Sequence, residues 1–451
     1  MIQITCPNNN VPERTYAIEV LLTDVLGCKR NDYDIQFKDD VNNYELKVGE
    51  SKYVFEDHFF NHFVDPLSYL KQENLPKELQ YFHGLGLELP IIYGEDKYIQ
   101  NENSFIIGLD IFASTFFMLT RWEESLLGRE EKGDCDETQL FCVKQGIHQR
   151  AIVNEYAVFL KKLLPTDFPL STRNYSVVLS HDVDGFLPRT WSQIVNDVVK
   201  QSIRGVLKHK AYNMSWKDSI IYKRHFPTAY SQFEMYTTVC EKFNIPEWFY
   251  FKVCGERENE ATYLYNDKQT VEIINKLKAK HNPNLILGFH PSQNVFGKKE
   301  QWNKEVSRIT GLLQEKPTIG RNHHLLYNYA TLRLWECIME QSMNISNCVF
   351  HKKQGFRSGV CVPYHLFDLY QRRLMNLIEH PCQLMDMGIR YGAKNRSNSE
   401  MWNEIKEIIN LVKAYGGELV LTWHIYVRKE KVIKDYFNWC EKVVQYATAL
   451  K

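Results

Sequence analysis

The first 170 residues carry an irregular pattern of hydrophobic and polar positions that is rich in aromatic residues. The spacing predicts short strands at 44–48 and 52–55 and helices at 13–26 and 153–164. The pattern is therefore typical of an α+β domain over residues 1–170, ended by a short proline-containing segment.

From residue 171 to residue 451 the pattern becomes a regular succession of apolar strands and amphipathic helices. The predicted helices lie at 267–280, 299–314, 332–342 and 401–415. The predicted strands lie at 176–181, 247–253, 284–290, 318–323, 347–351, 382–386 and 418–424. Seven such units predict an α/β fold with a parallel sheet closed into a barrel, whose site lies at the carboxyl ends of the strands.

Two stretches depart from these patterns. The apolar stretch at 105–120 is interrupted by Asp110 and is shorter than the roughly 20 residues that span a bilayer, so it predicts a buried helix and no transmembrane segment. The basic and aromatic stretch at 185–230 predicts an insertion after the first strand of the barrel. A solvated helical insertion is favoured there over a lid that contacts substrate.

Charge divides the chain in the same place as the hydrophobic pattern. The 55 basic and 55 acidic residues give a net charge of zero, which excludes a uniformly basic nucleic-acid binder and an acidic disordered chain. Residues 1–170 carry a net charge of −12 and residues 171–451 a net charge of +12. We expect the two parts to dock on each other, and the basic part favours an anionic substrate.

Cysteine use and the N-terminus both indicate a cytoplasmic protein. Eleven cysteines are scattered along the chain without a C-x-x-C pair, which is typical of reduced, buried thiols. The first residues have neither a basic segment nor an apolar segment of the kind that signal peptides contain.

Two aspartates follow the first apolar strand of the repeat, in the order His181-Asp182-Val183-Asp184. One carboxylate of such a pair can bind a cation while the other accepts a proton from water. Taken alone, the pair is equally typical of aspartates that cap a turn after a strand.

Histidines close three further predicted strands: His290, then His323 with its neighbour His324, and finally His424. A neutral imidazole is a common zinc ligand and proton-transfer group. Each of these histidines alone is more typical of a structural residue, but several strand ends on one barrel face indicate a site.

Arg357 and Asp386 follow two more predicted strands. A guanidinium at such a position can orient a carboxylate, and a carboxylate can orient an imidazole. Each of them alone is again more typical of a structural salt bridge.

The order of these elements resembles the polysaccharide deacetylase superfamily of the carbohydrate esterase family 4 type. A strand ending in D-x-D is followed by one ending in His, then by G-F-R-x-G, an isolated Asp and L-x-W-H. The resemblance covers about residues 171–451 and implies a distorted (β/α)7 barrel. The first element is usually T-F-D-D-G, whereas this chain has S-H-D-V-D-G. That variant is similar to a subfamily with an extra N-terminal domain, which LDIFASTFFMLTRWEES in residues 1–170 also resembles.

The resemblance implies a hydrolase, dependent on Zn²⁺ or another divalent metal, that removes acetyl from an N-acetylated sugar. It implies these roles: Asp182 as catalytic base, Asp184 as metal-binding aspartate, His290 as first histidine ligand, Arg357 as the arginine that holds the base, Asp386 as the aspartate that tunes the acid, and His424 as general acid.

The chain departs from the superfamily at the second histidine ligand. The usual motif is H-[S/T]-x-x-H, but position 294 holds Asn, which is a poor zinc ligand. His323 is the expected substitute, and His324 is the alternative because successive strand residues point to opposite sides.

Other interpretations stay open at this level. The Asn at position 294 favours a silent carbohydrate-binding barrel, and a different metal-dependent hydrolase acting on a phosphate or ring amide is a third interpretation. A nucleic-acid partner is the least favoured. The expected partner is a carbohydrate, with an anionic or nucleotide- or lipid-linked precursor preferred for a cytoplasmic enzyme.

Overall fold

The computed structural model describes residues 1–186, 226–254, 263–392, 396–425 and 430–449. Most of the predicted insertion at 185–230 lies outside the described residues. The chain packs into two compact units. The first unit combines Met1–Ser176 with Leu325–Leu419, and the second combines Val177–His324 with Val420–Lys451. The fold is mixed α/β, and residues 325–419 of the predicted barrel pack with the N-terminal residues.

The N-terminal part of the first unit is built on a six-stranded sheet with the order β2-β1-β3-β4-β8-β7 and a separate hairpin of β5 and β6. Neighbours pair antiparallel except for β1 with β2 and β4 with β8. The strands are β1 (Ile2–Pro7), β2 (Tyr33–Lys38), β3 (Tyr44–Val48), β4 (Ser51–Phe55), β5 (Gln80–Gly84), β6 (Leu87–Ile91), β7 (Gly94–Asn101) and β8 (Ser104–Leu109).

The helices of this part range from 4 to 12 residues in length. They are α1 (Val11–Glu19), which continues as a π-helical turn (Val20–Leu26), α2 (Ile111–Thr120), α3 (Trp122–Leu126), α4 (Arg129–Lys132), α5 (Phe141–Lys144) and α6 (Ile152–Leu163).

The prediction of a single helix over residues 105–120 is wrong for residues 105–109. Residues up to Leu109 form strand β8, and α2 begins at Ile111. Asp110 separates them because its side chain accepts from the Ala113 amide at 2.9 Å and caps the helix. Every residue of α2 is buried, as its uniform hydrophobicity predicts. No described helix is both long and apolar enough to cross a membrane.

The second unit contains four neighbouring parallel strands separated by amphipathic helices. Strands β9, β10 and β11 pair in continuous register, whereas β12 pairs with β11 only through Gly320 and Phe289. The strands are β9 (Ser176–Val183), β10 (Glu247–Phe251), β11 (Leu285–Phe289) and β12 (Ile319–Gly320). The helices are α7 (Tyr230–Phe243), α8 (Lys268–Lys278) and α9 (Lys299–Leu313).

The remainder of the first unit adds short strands and three helices. Strand β15 pairs parallel with β13 and antiparallel with β14. The elements are α10 (Tyr329–Glu336), β13 (Met343–Ile345), β14 (Tyr364–Asp368), β15 (Arg373–Glu379), β16 (Cys382–Met385), α11 (Asp386–Gly392) and α12 (Asn398–Ala414). Strand β17 (Glu418–Thr422) follows, and its residues from Val420 onward belong to the second unit. The hairpin of β14 and β15 was not predicted from the sequence.

The strand predicted at 347–351 is wrong, because the strand here is Met343–Ile345. The amides of Asn347 and Cys348 donate to the buried carboxylate of Glu379 at 2.7 and 2.8 Å. A side chain therefore satisfies these backbone donors where a neighbouring strand was expected.

Ion pairs join the two sequence segments of the first unit. Arg372 pairs with the buried carboxylate of Glu13 at 2.7 Å. Arg357 pairs with Glu124 at 2.9 Å, and both of those side chains are buried. The first unit is therefore assembled from both segments.

Two further features complete the second unit. From Val420 the chain runs parallel to β9, with the Trp423 amide donating to Ser180 O and the Ile425 amide to Asp182 O. Helix α13 (Glu430–Ala449) follows.

Candidate metal and catalytic site

Chemically active side chains gather at the carboxyl ends of the parallel strands of the second unit. The register places Asp182 beside Tyr250, and the amide of His290 donates to Phe251 O. The strands therefore end level with one another, which brings their terminal side chains together. The residues involved are Asp182, Asp184, His290, His323 and His424.

Three potential metal ligands converge in this group. Nε2 of His290 and Nε2 of His323 lie 3.5 and 3.7 Å from Oδ1 of Asp184. The ligand atoms of the three residues all lie within 4.8 Å of one another. An aspartate with two histidines is a common zinc donor set that leaves a coordination position open.

The tautomer of His290 fits this assignment. Its Nδ1 lies 2.6 Å from the carbonyl oxygen of Arg321, which can only accept, so Nδ1 carries the proton. Nε2 then presents a lone pair, and it is buried without a hydrogen-bond partner among the described residues. A buried acceptor of this kind fits a metal ion.

The structure distinguishes the two neighbouring histidines. The side chain of His323 is 11% exposed and faces Asp184. His324 is exposed and has a φ of 55°, in the left-handed region. Asn294, at the position of the missing motif histidine, is exposed in the short turn Gln293–Val295.

Asp182 is the buried carboxylate beside this group. Burial raises the pKa of Asp182, but neighbouring charge, above all that of the Arg321 guanidinium, outweighs that effect and holds the pKa below its usual value. Its Oδ2 lies 3.6 Å from Nε2 of His424 and 4.0 Å from Nε2 of His290. An ionised carboxylate and an imidazole thus face each other beside the potential ligands.

Arg321 is the residue that the sequence reasoning missed. Its Nη1 lies 2.9 Å from Oδ1 of Asp182, its Nη2 donates to Ser180 Oγ, and the side chain is fully buried over the ring of Tyr250. Its carbonyl also accepts from His290. The available signal was an arginine two residues before His323 at a predicted strand end.

The structure gives Arg357 other partners than the resemblance implies. Its guanidinium donates to Glu124 at 2.9 Å and to Val349 O at 2.8 Å, and it lies 3.4 Å from Glu137. These residues all belong to the first unit. The guanidinium that contacts Asp182 is that of Arg321.

Asp386 lies at the start of helix α11 in the first unit, and its Oδ1 accepts from the Met387 amide at 2.7 Å. Its implied action on His424 stays a prediction.

His181, in the H-D-V-D element, is a structural residue of the second unit. Its Nδ1 donates to Trp423 O at 2.8 Å, its Nε2 lies 3.3 Å from Glu247, and its ring stacks on Phe249. It therefore fixes the backbone next to His424.

Comparison with known proteins gives the following matches. Residues 2–169 match DUF7033, a family of unknown function. No curated protein matches the chain.

Several solved structures are similar to the chain at low identity. A candidate polysaccharide deacetylase of Bordetella bronchiseptica, involved in O-antigen biosynthesis, is 12% identical over 60% of this chain and 83% of its own, with a TM-score of 0.29. One from Mycobacterium smegmatis is 12% identical over 63% and 93%, with a TM-score of 0.34. One from Pseudomonas aeruginosa PAO1 is 13% identical over 61% and 85%, with a TM-score of 0.36.

Proposed function

We propose that this protein is a metal-dependent hydrolase that removes the acetyl group from an N-acetylated amino sugar of a polysaccharide or its precursor. The observation that carries the proposal is the convergence of Asp184, His290 and His323 beside an ionised, arginine-held Asp182 that faces His424. The order of motifs in the sequence supports the sugar substrate and the distorted (β/α)7 barrel with a companion domain over residues 1–170.

Asp184, His290 and His323 would hold the metal through one carboxylate oxygen and two imidazole nitrogens. When bound, a zinc ion or another divalent metal lowers the pKa of a water toward about 7 and polarises the carbonyl of the scissile amide.

Two other side chains move the protons. Oδ2 of Asp182 accepts a proton from the attacking water while Arg321 stays on Oδ1, so the carboxylate keeps its orientation. Nε2 of His424 donates a proton to the departing nitrogen as the carbon–nitrogen bond breaks. The products are acetate and the free amine.

The test combines metal analysis with an assay of acetate release. Purified protein is assayed for metal content and for release of acetate from N-acetylglucosamine oligomers and nucleotide-linked N-acetyl sugars, before and after chelation. We expect chelation to abolish acetate release and added zinc to restore it. Protein that binds no divalent metal and releases no acetate from any of these substrates would contradict the proposal.

A second candidate is a silent carbohydrate-binding protein on the same fold. The observation that favours it is the buried ammonium of Lys252, which lies 2.7 Å from Oδ1 of Asp184 and already neutralises that carboxylate. Binding of an amino-sugar oligomer without metal uptake or acetate release is the outcome that this candidate predicts.

A further inference from the structure

A lysine side chain is buried within the proposed metal site. Lys252 directly follows strand β10, and its side chain is fully buried. Its Nζ lies 2.7 Å from Oδ1 of Asp184, the oxygen that also lies nearest to His290 and His323. One carboxylate oxygen therefore faces both imidazoles and an ammonium.

The backbone around Lys252 is fixed by a buried tyrosine. The Lys252 amide donates to Oη of Tyr263 at 2.8 Å, and this hydroxyl donates to Val183 O at 3.0 Å. Tyr263 thus links the end of β10 to the residue that precedes Asp184. These hydrogen bonds position the Lys252 ammonium next to the Asp184 carboxylate.

The charges of the site are already balanced without a metal ion. Asp182 pairs with Arg321, and Asp184 pairs with Lys252. A divalent ion would therefore add two positive charges close to a buried ammonium. Repulsion between buried charges a few ångströms apart is strong because the protein interior screens it poorly.

We propose that Lys252 is an internal competitor of the metal ion for Oδ1 of Asp184. This inference rests on the proposed metal site. In the metal-free protein the ammonium is the counterion of Asp184, whose side chain is 27% exposed but whose Oδ1 atom is buried. On metal binding the ammonium has to leave Oδ1, so the lysine sets a lower metal affinity than the three ligands would give without it.

The direction of the change in metal affinity distinguishes a competing cation from a residue that merely orients a metal ligand. Removing a hydrogen-bond partner that merely orients a metal ligand weakens metal binding by about 10–100-fold. Removing a competing cation strengthens binding. The two roles therefore predict opposite changes in the dissociation constant.

The test measures Zn²⁺ and Co²⁺ binding to the full chain by calorimetry, with the visible spectrum of Co²⁺ as a second readout. We expect Lys252→Met and Lys252→Gln to bind either ion about tenfold or more tightly than the unchanged protein. Lys252→Arg keeps the charge and should not tighten binding. Lys280→Met is the matched control, because Lys280 pairs with Glu241 elsewhere in the second unit.

The melting temperature gives an independent readout. Added metal should raise it more in the two neutral variants than in the unchanged protein, because tighter binding stabilises the folded state more. The Gln variant retains an amide donor for Asp184 and keeps the test available if the Met variant does not fold.

The outcomes separate this inference from the proposed function. Weaker or unchanged metal binding in both neutral variants, with metal binding by the unchanged protein, would overturn the role of Lys252 and leave the metal site standing. Absence of metal binding in every variant would overturn both proposals. Metal binding by the neutral variants alone would support competition in its strongest form.

Discussion

Arg321 donates from Nη1 to Oδ1 of Asp182 at 2.9 Å, and both side chains are buried. The carbonyl of the same Arg321 accepts from Nδ1 of His290 at 2.6 Å. A single residue therefore orients the proposed base and fixes the tautomer of a proposed metal ligand.

Replacing Arg321 with Gln should lower both stability and turnover. Asp182 would be left as a buried charge without its partner, which costs about 3–5 kcal/mol in the free energy of unfolding. We expect kcat to fall much more than KM changes, and Arg321→Lys to recover part of the loss. Urea unfolding and acetate release measure the two effects.

The double variant Arg321→Gln with Asp182→Asn is the control for this pair. It should be more stable than Arg321→Gln alone because no buried charge is left unpaired, but it should stay inactive. An active and fully stable Arg321→Gln protein would contradict the role of this residue.

Replacing Asp182 with Asn should reduce kcat by about 10²–10⁴ while metal binding is retained, because the proposed base is lost and the three ligands are not. His424→Gln should reduce kcat over the same range. Calorimetry with Zn²⁺ and acetate release are measured on the same preparations. Loss of metal from the Asp182→Asn protein would instead assign this carboxylate to the ligand set.

Replacing His323 with Gln should weaken metal binding by about 100-fold or more, since it removes one of three ligands. His324→Gln is the matched control and should bind metal normally, because His324 is exposed. Adding Asn294→His to the His323 variant should not restore affinity, because position 294 is exposed in a turn. If Asn294→His did restore metal affinity, position 294 would be the ligand position, as in the superfamily motif.

Replacing Arg357 with Gln should destabilise the protein by about 1.5–3 kcal/mol, because Glu124 would lose its shortest hydrogen bond but keep Arg121 and Arg129 at 3.8 and 3.6 Å. The kcat of the protein that remains folded should be unchanged, as Asp182 is held by Arg321. A large loss of kcat at full stability would instead support the role that the resemblance implies for Arg357.

Glu123 should make the stability of the protein depend on pH. Burial raises the pKa of Glu123 to about 7, although the Phe141 amide donates to its carboxylate. The folded state therefore binds the proton more tightly than the unfolded state. This contribution to stability is complete below about pH 4.5 and is lost as the pH rises through about 7.

The variant Glu123→Gln should flatten this part of the stability profile. Chemical unfolding at several pH values between 4 and 8 compares it with the unchanged protein. Identical slopes for the two proteins across this window would show that Glu123 does not titrate there.

The sequence predicted the amphipathic helices best because their pattern is local. The helices predicted at 267–280 and 299–314 are confirmed as Lys268–Lys278 and Lys299–Leu313. The strand expected at 347–351 was wrong because its amides are satisfied by Glu379, which is distant in sequence. Short strands depend on such partners, and a single sequence does not reveal them.

The candidate site was also predicted only in part. Strand-terminal positions made Asp184, His290 and His323 candidates, and the resemblance implied their place in a metal site. The structure brings their ligand atoms together. The contacts of Arg321 and Lys252 were not predicted, because pairing between charged side chains depends on the order and register of strands. The G-F-R-x-G motif drew attention to Arg357, while the arginine that contacts Asp182 lies two residues before His323.

The discontinuous first unit has a consequence for synthesis on the ribosome. Glu13 and Glu124 are buried in the finished unit, but Arg372 and Arg357 are translated only after the whole of residues 177–324. At about 5–20 residues per second, residues 177–419 take roughly 12–50 s to emerge. The carboxylate of Glu13 therefore meets Arg372 only late in synthesis, whereas Glu124 already has Arg121 and Arg129 within its own segment.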